Sequence, residues 1–260
     1  MFDDSIYAAG LTVGLGIGIA TWLISVVRRD VSIVDPLWPL FFLAMVLSYL
    51  TLAPALGERA YILLFVVTVW AVRLSLFLLL RNWGEAEDRR YQQIRSDNEP
   101  GFWLKSLYVV FGLQAILAWI ISLPLLAATL GGAPLNWVDF LAVVLWLVGF
   151  GFEAIGDQQL ASFKSDRSNR GKVLDQGLWR YTRHPNYFGE TCIWWAYFLF
   201  AVAAGGWWAI LSPILMTYLL LRVSGVMLLE RDIGERRPAY REYIQRTNSF
   251  FPGPPKLAVP

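Results

Sequence analysis

The sequence predicts an all-α, polytopic membrane helix bundle with seven transmembrane helices, a single domain over residues 1–260. Three observations lead there. The chain is 57% hydrophobic and 15% aromatic, and only 16% of it is charged, against about 25% in an ordinary soluble domain. Its mean hydropathy is +0.48. The apolar residues fall in blocks near the roughly 20 residues that a bilayer crossing requires, parted by proline, glycine and charge.

Residues 5–27 form the first span, where Gly10, Gly14 and Gly18 recur every four residues and leave one face as bare backbone for a close neighbour. Ahead of it, Met1-Phe2-Asp3-Asp4 is acidic where a secretory leader would be basic, so this run is expected to persist as a span. Arg28-Arg29-Asp30 ends it. The second span, residues 33–53, opens on Asp35-Pro36-Leu37-Trp38-Pro39, and Pro54 and Gly57 break it before Glu58-Arg59. The third, residues 60–80, carries Arg73 inside it and ends at Arg81-Asn82. The polar segment at residues 83–101, centred on Glu87-Asp88-Arg89-Arg90-Tyr91, is too densely charged to be embedded. Residues 102–130 supply a long fourth span that Pro124 kinks, and Gly131-Gly132-Ala133-Pro134 makes the turn after it.

The fifth span, residues 137–160, places Glu153 and Asp157 on one face, four residues apart. A basic loop with Lys164, Arg167, Arg170 and Lys172 follows. Residues 190–227 are too long for one crossing, and Gly205-Gly206 marks the turn between a sixth and a seventh span, with Arg222 near the end of the latter. The tail is charged and has an interfacial pattern of Tyr240, Tyr243, Phe250 and Phe251. With seven spans, Arg28, Arg29, Arg89, Arg90, Arg95, the basic loop and the tail share one side, and Arg59 alone takes the other. The positive-inside rule then sets the N-terminus outside and the C-terminus in the cytoplasm.

Six ionisable residues fall inside these spans: Asp35, Arg73, Glu153, Asp157, Glu190 and Arg222. A charge at a helix centre costs roughly 2.5–3.5 kcal/mol on the insertion scale, and such residues are functional by default. They are expected to line one polar cavity open to the cytoplasm. The alternative is a set of helix-locking pairs, such as Arg73 with Asp157 or Arg222 with Glu190. At the rim lies Gly177-Leu178-Trp179-Arg180-Tyr181-Thr182-Arg183-His184-Pro185-Asn186-Tyr187-Phe188-Gly189-Glu190, where Pro185 can open a helix bearing Asn186 and Glu190 on one face. Its bland reading is an interfacial loop whose arginines meet lipid headgroups. A basic mouth over deeper carboxylates suits a phosphorylated nucleotide, since guanidinium binds phosphate and carboxylates accept from hydroxyls or a carboxamide. Neither of the usual soluble nucleotide-binding loops, GxGxxG or GxxxxGK[ST], is present. The lone cysteine, Cys192, and the lone histidine argue against a disulfide and a metal site. A net charge of +2 does not suggest nucleic acid.

The Gly177 to Glu190 run, with Glu87-Asp88-Arg89-Arg90-Tyr91, Arg222-Val223-Ser224-Gly225, Leu229-Glu230 and Tyr240-Arg241-Glu242-Tyr243, resembles the steroid 5-alpha-reductase-like membrane family DUF1295 over nearly the whole chain. The resemblance implies NADPH in a cytoplasm-facing cavity. Hydride would pass to the β-carbon of an enone in a lipophilic substrate while an acidic residue and a tyrosine polarise the carbonyl. It implies cofactor-binding positions at Arg73, Arg81, Asn82, Asp88, Arg89, Tyr91, Asp157, Lys164, Arg180, Tyr181, His184, Asn186, Glu190 and Arg222, and catalytic positions at Asp35 and Trp70. Two departures stand out: reductases carry Gln-Glu-x-Pro where this chain has Asp35-Pro36, and a tyrosine where Trp70 stands. An indole cannot donate as a phenol does.

The Arg-His-Pro-x-Tyr-x-Gly run is also similar to that of isoprenylcysteine carboxyl methyltransferases, which implies S-adenosylmethionine instead, although its one positive centre needs fewer basic contacts than these loops offer. A transporter or lipid-binding bundle without catalysis is the third possibility, and it would show inverted repeats or a polar path across the whole bilayer. The expectation is a multi-pass protein of a bacterial cytoplasmic membrane, in contact with lipid and with its active site facing the cytoplasm. No nucleic acid or metal is expected.

Overall fold

The computed structural model describes residues 2–223, 225–230, 233 and 238–256, and every regular element among them is helical. Ser224, the Leu229 side chain and residues 234–237 of the charged tail lie outside the described residues. The helices are α1 (Asp4–Arg28), α2 (Val34–Leu52), α3 (Glu58–Asn82), α4 (Arg89–Asn98), α5 (Phe102–Ile121), α6 (Leu123–Leu130), α7 (Trp137–Ser165), α8 (Pro185–Ala203), α9 (Trp207–Val223), α10 (Val226–Glu230) and α11 (Ala239–Arg246). Five of them, α1, α2, α3, α5 and α7, are long and apolar enough to cross a membrane, while α9 is apolar but shorter. The chain is an integral membrane protein.

Two compact units divide the chain, one of Met1–Asp139 with Phe200–Ser212, the other of Phe140–Leu199 with Pro213–Pro260. In the first, Asp3 starts α1 by accepting hydrogen bonds from the backbone of Ser5 and Ile6, each at 3.0 Å. The glycine face of α1 then receives two helices. A Cβ at Gly14 would lie 2.7 Å from Met45 Cε on α2, and one at Gly18 would lie 3.3 Å from the Phe111 carbonyl on α5. Only bare backbone fits there.

The fourth apolar block is broken rather than bent. α5 holds a π-helical stretch over Leu107–Gly112 and stops at Ile121. Ser122 fills the break, its hydroxyl 2.7 Å from the Trp119 carbonyl and 2.8 Å from the Tyr49 hydroxyl. Pro124 falls in the first turn of α6, where a missing N–H costs nothing. The turn at Gly205-Gly206 forms as expected, with Gly205 at φ +83° and Gly206 packed so closely that a Cβ would strike Ala127. The polar segment between α3 and α5 differs from the loop its composition suggests. It contains α4, capped by Asp88, whose carboxylate accepts from the Arg90 N–H at 2.9 Å.

Arg59, placed alone on its side by charge counting, is 1% exposed. Its guanidinium forms two bonds to Asp139, at 2.6 and 2.8 Å, and donates to the carbonyls of Ala133 and Pro134 at 2.9 and 3.0 Å. The α2–α3 turn is thereby tied to the start of α7. α7 runs 29 residues, about 44 Å at 1.5 Å per residue, longer than the hydrocarbon core, and from Phe140 onward it belongs to the second unit.

Breaking one partner of a buried ion pair strands the other charge, at a cost of about 3–5 kcal/mol. Arg59→Ala is therefore expected to lower the denaturation midpoint of the purified protein well below that of Arg59→Ala paired with Asp139→Ala, with both followed by thermal unfolding in detergent. Equal midpoints for the single and double variants would remove the pair from the account.

Candidate functional site

Among the described residues, one polar cluster in each unit gathers positions named from the sequence. In the first, Asp35 sits in the opening turn of α2 and receives α4 from the side. The Tyr91 hydroxyl donates to Asp35 Oδ1 at 2.6 Å, and Arg90 donates to Asp35 Oδ2 at 3.0 Å and to Asp88 at 3.0 Å. Gln114 of α5 donates to the Tyr91 hydroxyl at 3.2 Å, and the Arg90 guanidinium lies 5.6 Å from the Tyr91 ring centre. Burial pushes the Tyr91 phenol well above its ordinary value, and the Asp35 carboxylate pushes it the same way. The phenol keeps its proton. On Asp88, burial raises the carboxyl, but the hydrogen bonds and charge of Arg90 outweigh that and hold it below its usual value.

Further contacts fix α4 in place. Glu87 takes a two-pronged grip from Arg95 at 2.7 and 2.9 Å and accepts from the Val31 N–H at 2.9 Å. Below Asp35, the rings of Trp38, Phe42 and Trp70 follow one another with centroids 5.1 and 6.0 Å apart. Trp70 is fully buried, and Arg73 beside it on α3 is half-buried. Arg81 and Arg89 are exposed, and Arg81 donates to Asn82 at 3.0 Å.

The second cluster lies where α7 crosses α8. A Cβ at Gly149 would sit 2.6 Å from the Gly189 carbonyl, one at Gly189 would sit 2.9 Å from Glu153 Cβ, and one at Gly156 would sit 3.1 Å from Pro185. The helices therefore touch backbone to backbone, as small residues permit in a membrane. This contact brings Glu153 and Asp157, 2% and 5% exposed, to the helix carrying Asn186 and Glu190. Asn186 donates to Asp157 at 3.1 Å. Lys164 at the end of α7 is exposed, as are Arg180, Tyr181 and Arg222. Arg222 donates to the Met227 sulfur at 3.4 Å.

The centre of the hinge serves a different purpose. Arg183 grips Glu230 at 2.6 and 2.9 Å and donates to the carbonyls of Ile244, at 3.1 Å, and Thr247. His184, 4% exposed, meets Glu230 Oε1 through Nε2 at 2.9 Å. Thr182 donates to the Phe250 carbonyl at 2.8 Å, and Tyr243 donates to the Trp179 carbonyl. These bonds strap the tail onto the hinge. Burial raises the Glu230 carboxyl, but His184 and Arg183 outweigh it and hold it down at about 2.

Of the positions taken from the sequence, the structure joins Asp35, Asp88 and Tyr91 in the first unit and Asp157 and Asn186 in the second. It engages His184 with Glu230. Neither Arg90 nor Glu230 was named from the sequence as a site residue, although both stand in the motif runs, and Gln114 and the glycines of α7 were passed over. Gly149 and Gly156 were legible, since a spacing of seven returns to one helix face. Among the described residues, no group of three or more His, Cys, Asp or Glu side chains could hold a metal ion.

A family model described as "Protein of unknown function (DUF1295)" matches residues 21–247. The chain is 27% identical over 289 residues to an uncharacterised protein of the yeast Schizosaccharomyces pombe, a match covering 96% of this chain and 81% of that one. No solved structure matches the chain.

Two outcomes test this geometry. A carboxylate depressed on folding stabilises above its unfolded value and loses that contribution as pH falls toward the folded one. The strap should thus loosen as pH drops from 4.5 to about 2, seen as faster pepsin cleavage in the tail, and Glu230→Gln should cleave fast across that range. Gly189→Ala forces a methyl group between two backbones, so a loss of about 1–3 kcal/mol is expected, read from thermal unfolding. A neutral substitution would mean the helices are farther apart.

Proposed function

The chain belongs to the DUF1295 family, and from that membership and its two polar clusters we propose an NADPH-dependent membrane reductase. It reduces a carbon-carbon double bond conjugated to a carbonyl in a lipophilic, steroid- or isoprenoid-like substrate. The observation that carries this reading is the Tyr91 hydroxyl hydrogen-bonded to Asp35 at 2.6 Å. Reduction at a β-carbon drives negative charge onto the carbonyl oxygen, and a phenol that keeps its proton would stabilise that charge by turning its O–H from Asp35 to the substrate. Tyr91 supplies the phenol that Trp70 lacks. Arg90, bonded to both Asp35 and Asp88, balances the carboxylates around it. Methyl transfer from S-adenosylmethionine discharges a positive centre and needs no such donor.

The donor set of the second unit fits a dinucleotide. Asn186, held by Asp157 at 3.1 Å, offers an amide. Asp157 and Glu190 suit ribose hydroxyls and a carboxamide, and the exposed Lys164 and Arg180 suit phosphates. NADPH bound by these residues would supply the hydride. The aromatic rings of Trp38, Phe42 and Trp70 would wall a fused-ring or isoprenoid substrate with few polar contacts.

In this reading α8 and α9 complete a seven-span bundle, with the N-terminus outside and the C-terminus and active site on the cytoplasmic side. Arg95 supports that orientation. It donates to the Arg29 carbonyl at 3.3 Å and so gathers the basic residues of α4 at the end of α1. Arg59, the one cation assigned to the other side, is neutralised by Asp139.

The test is a titration of the purified protein with NADPH, NADH and S-adenosylmethionine, followed by thermal stability, alongside NADPH oxidation on a panel of lipophilic enones. NADPH should stabilise the protein. Tyr91→Phe should leave binding intact and lower turnover about 10²-fold, whereas Asn186→Ala should weaken binding about tenfold. Stabilisation by S-adenosylmethionine alone would sink the proposal.

A further inference from the structure

Two cavities adjoin in the second unit, with Gln176 and Gly177 in the walls of both. Gly177 has φ +58°, and a Cβ there would collide with the Gln159 amide, so only glycine lets the wall stand this close to α7. The first cavity, about 560 Å³, is lined by Arg180, Arg246 and Lys256, with Asp175 and Glu242. Arg246 neutralises Asp175 at 2.6 Å, which leaves Arg180 and Lys256 facing Glu242 and gives the cavity an excess of positive charge. Lys256 is brought there by its backbone N–H, which donates to the Arg246 carbonyl at 2.8 Å. The Nε–H of Arg246 is buried and has no hydrogen-bond acceptor among the described residues. A buried guanidinium N–H without an acceptor is costly, and a phosphate oxygen is the acceptor it suits best.

The second cavity, about 650 Å³, has a different character. Phe163 and Leu174 give it an apolar floor, Gln158, Gln159 and Asn169 surround that with amides, and the Asp166 carboxylate lies at its wall. The Gln159 carbonyl accepts from the Leu178 N–H at 3.0 Å, which leaves its NH₂ as a donor. A flat heteroaromatic ring fits such a place, its face on the apolar floor and its edge read by amides. A lipid headgroup would have no use for it.

We propose that these cavities form one nucleotide groove, with a phosphomonoester on Arg180, Arg246 and Lys256 and the base against Phe163 among the glutamines. Under the reductase reading, on which this identification of the nucleotide rests, the phosphomonoester is the 2′-phosphate of NADPH. The groove then sets the preference for NADPH over NADH. Nothing in its geometry depends on turnover.

The full-length protein in detergent is titrated with adenosine 2′,5′-bisphosphate and with AMP by calorimetry. Wild type should bind the bisphosphate at least tenfold more tightly. Arg180→Ala and Lys256→Ala alter exposed side chains and should fold normally. Each should erase most of that advantage while leaving AMP affinity unchanged, and Gln158→Ala should weaken both ligands. Equal binding of the two nucleotides by wild type, or an undiminished advantage in the variants, overturns the groove. Displacement of the bisphosphate by phosphatidic acid vesicles, but not by phosphatidylcholine vesicles, would assign the phosphate site to a lipid headgroup and overturn the nucleotide. A protein that binds the bisphosphate yet oxidises no NADPH would keep the groove and discard the reductase.

Discussion

Backbone meets backbone where α7 crosses α8, at Gly149 and Gly189, and the chemistry of the second unit depends on that contact. α7 is long and apolar enough to cross a membrane, and a helix in a bilayer gains no hydrophobic drive from association, so close packing of small residues and polar bonds must hold its neighbour. Both are present here. The glycines bring the helices close enough for Asn186 of α8 to bond Asp157 of α7, and the bond in turn satisfies a carboxylate that hydrocarbon would not tolerate. Any larger residue at Gly189 would part the helices and leave Asp157 and Glu153 unsupported.

The hinge divides its residues between two tasks. Thr182, Arg183 and His184 point their polar atoms at the tail and at Glu230, and they fasten one end of the unit. Asn186 and Glu190, in the first and second turns of α8, belong with the carboxylates of α7. A motif this rich in arginine, histidine and asparagine thus looks more catalytic in sequence than it is in space. Its buried centre is scaffold, and its exposed members, Arg180 and Tyr181, are the ones still open to a ligand.

Much of the architecture was legible because it is local. The apolar blocks, the glycine face of α1 and the Gly205-Gly206 turn each depend on residues a few positions apart, and the helices fall where the blocks lie. The fate of individual charges was not legible. Arg59 read as a lone surface cation until Asp139, 80 positions on, proved to cover it. Trp70 read as the loss of a phenol, and nothing local showed that the Tyr91 phenol of α4, 56 positions after Asp35, bonds that carboxylate. Partners so far apart are chosen by tertiary packing, and no helical period encodes them. The same limit hid α4, whose cap at Asp88 is visible in sequence but whose charged composition argues for loop.

The central claim is that the phenol and carboxylate at the head of α2 serve a hydride transfer. Its most direct test is to reconstitute the protein in vesicles of a total lipid extract, supply NADPH deuterated at C4 or S-adenosylmethionine labelled in its methyl group, and analyse the lipids by mass spectrometry. The account predicts one deuterium on carbon in a product two mass units heavier than its unlabelled precursor before the label is counted. A labelled methyl group in the lipid fraction, with no deuterium transferred, would contradict it.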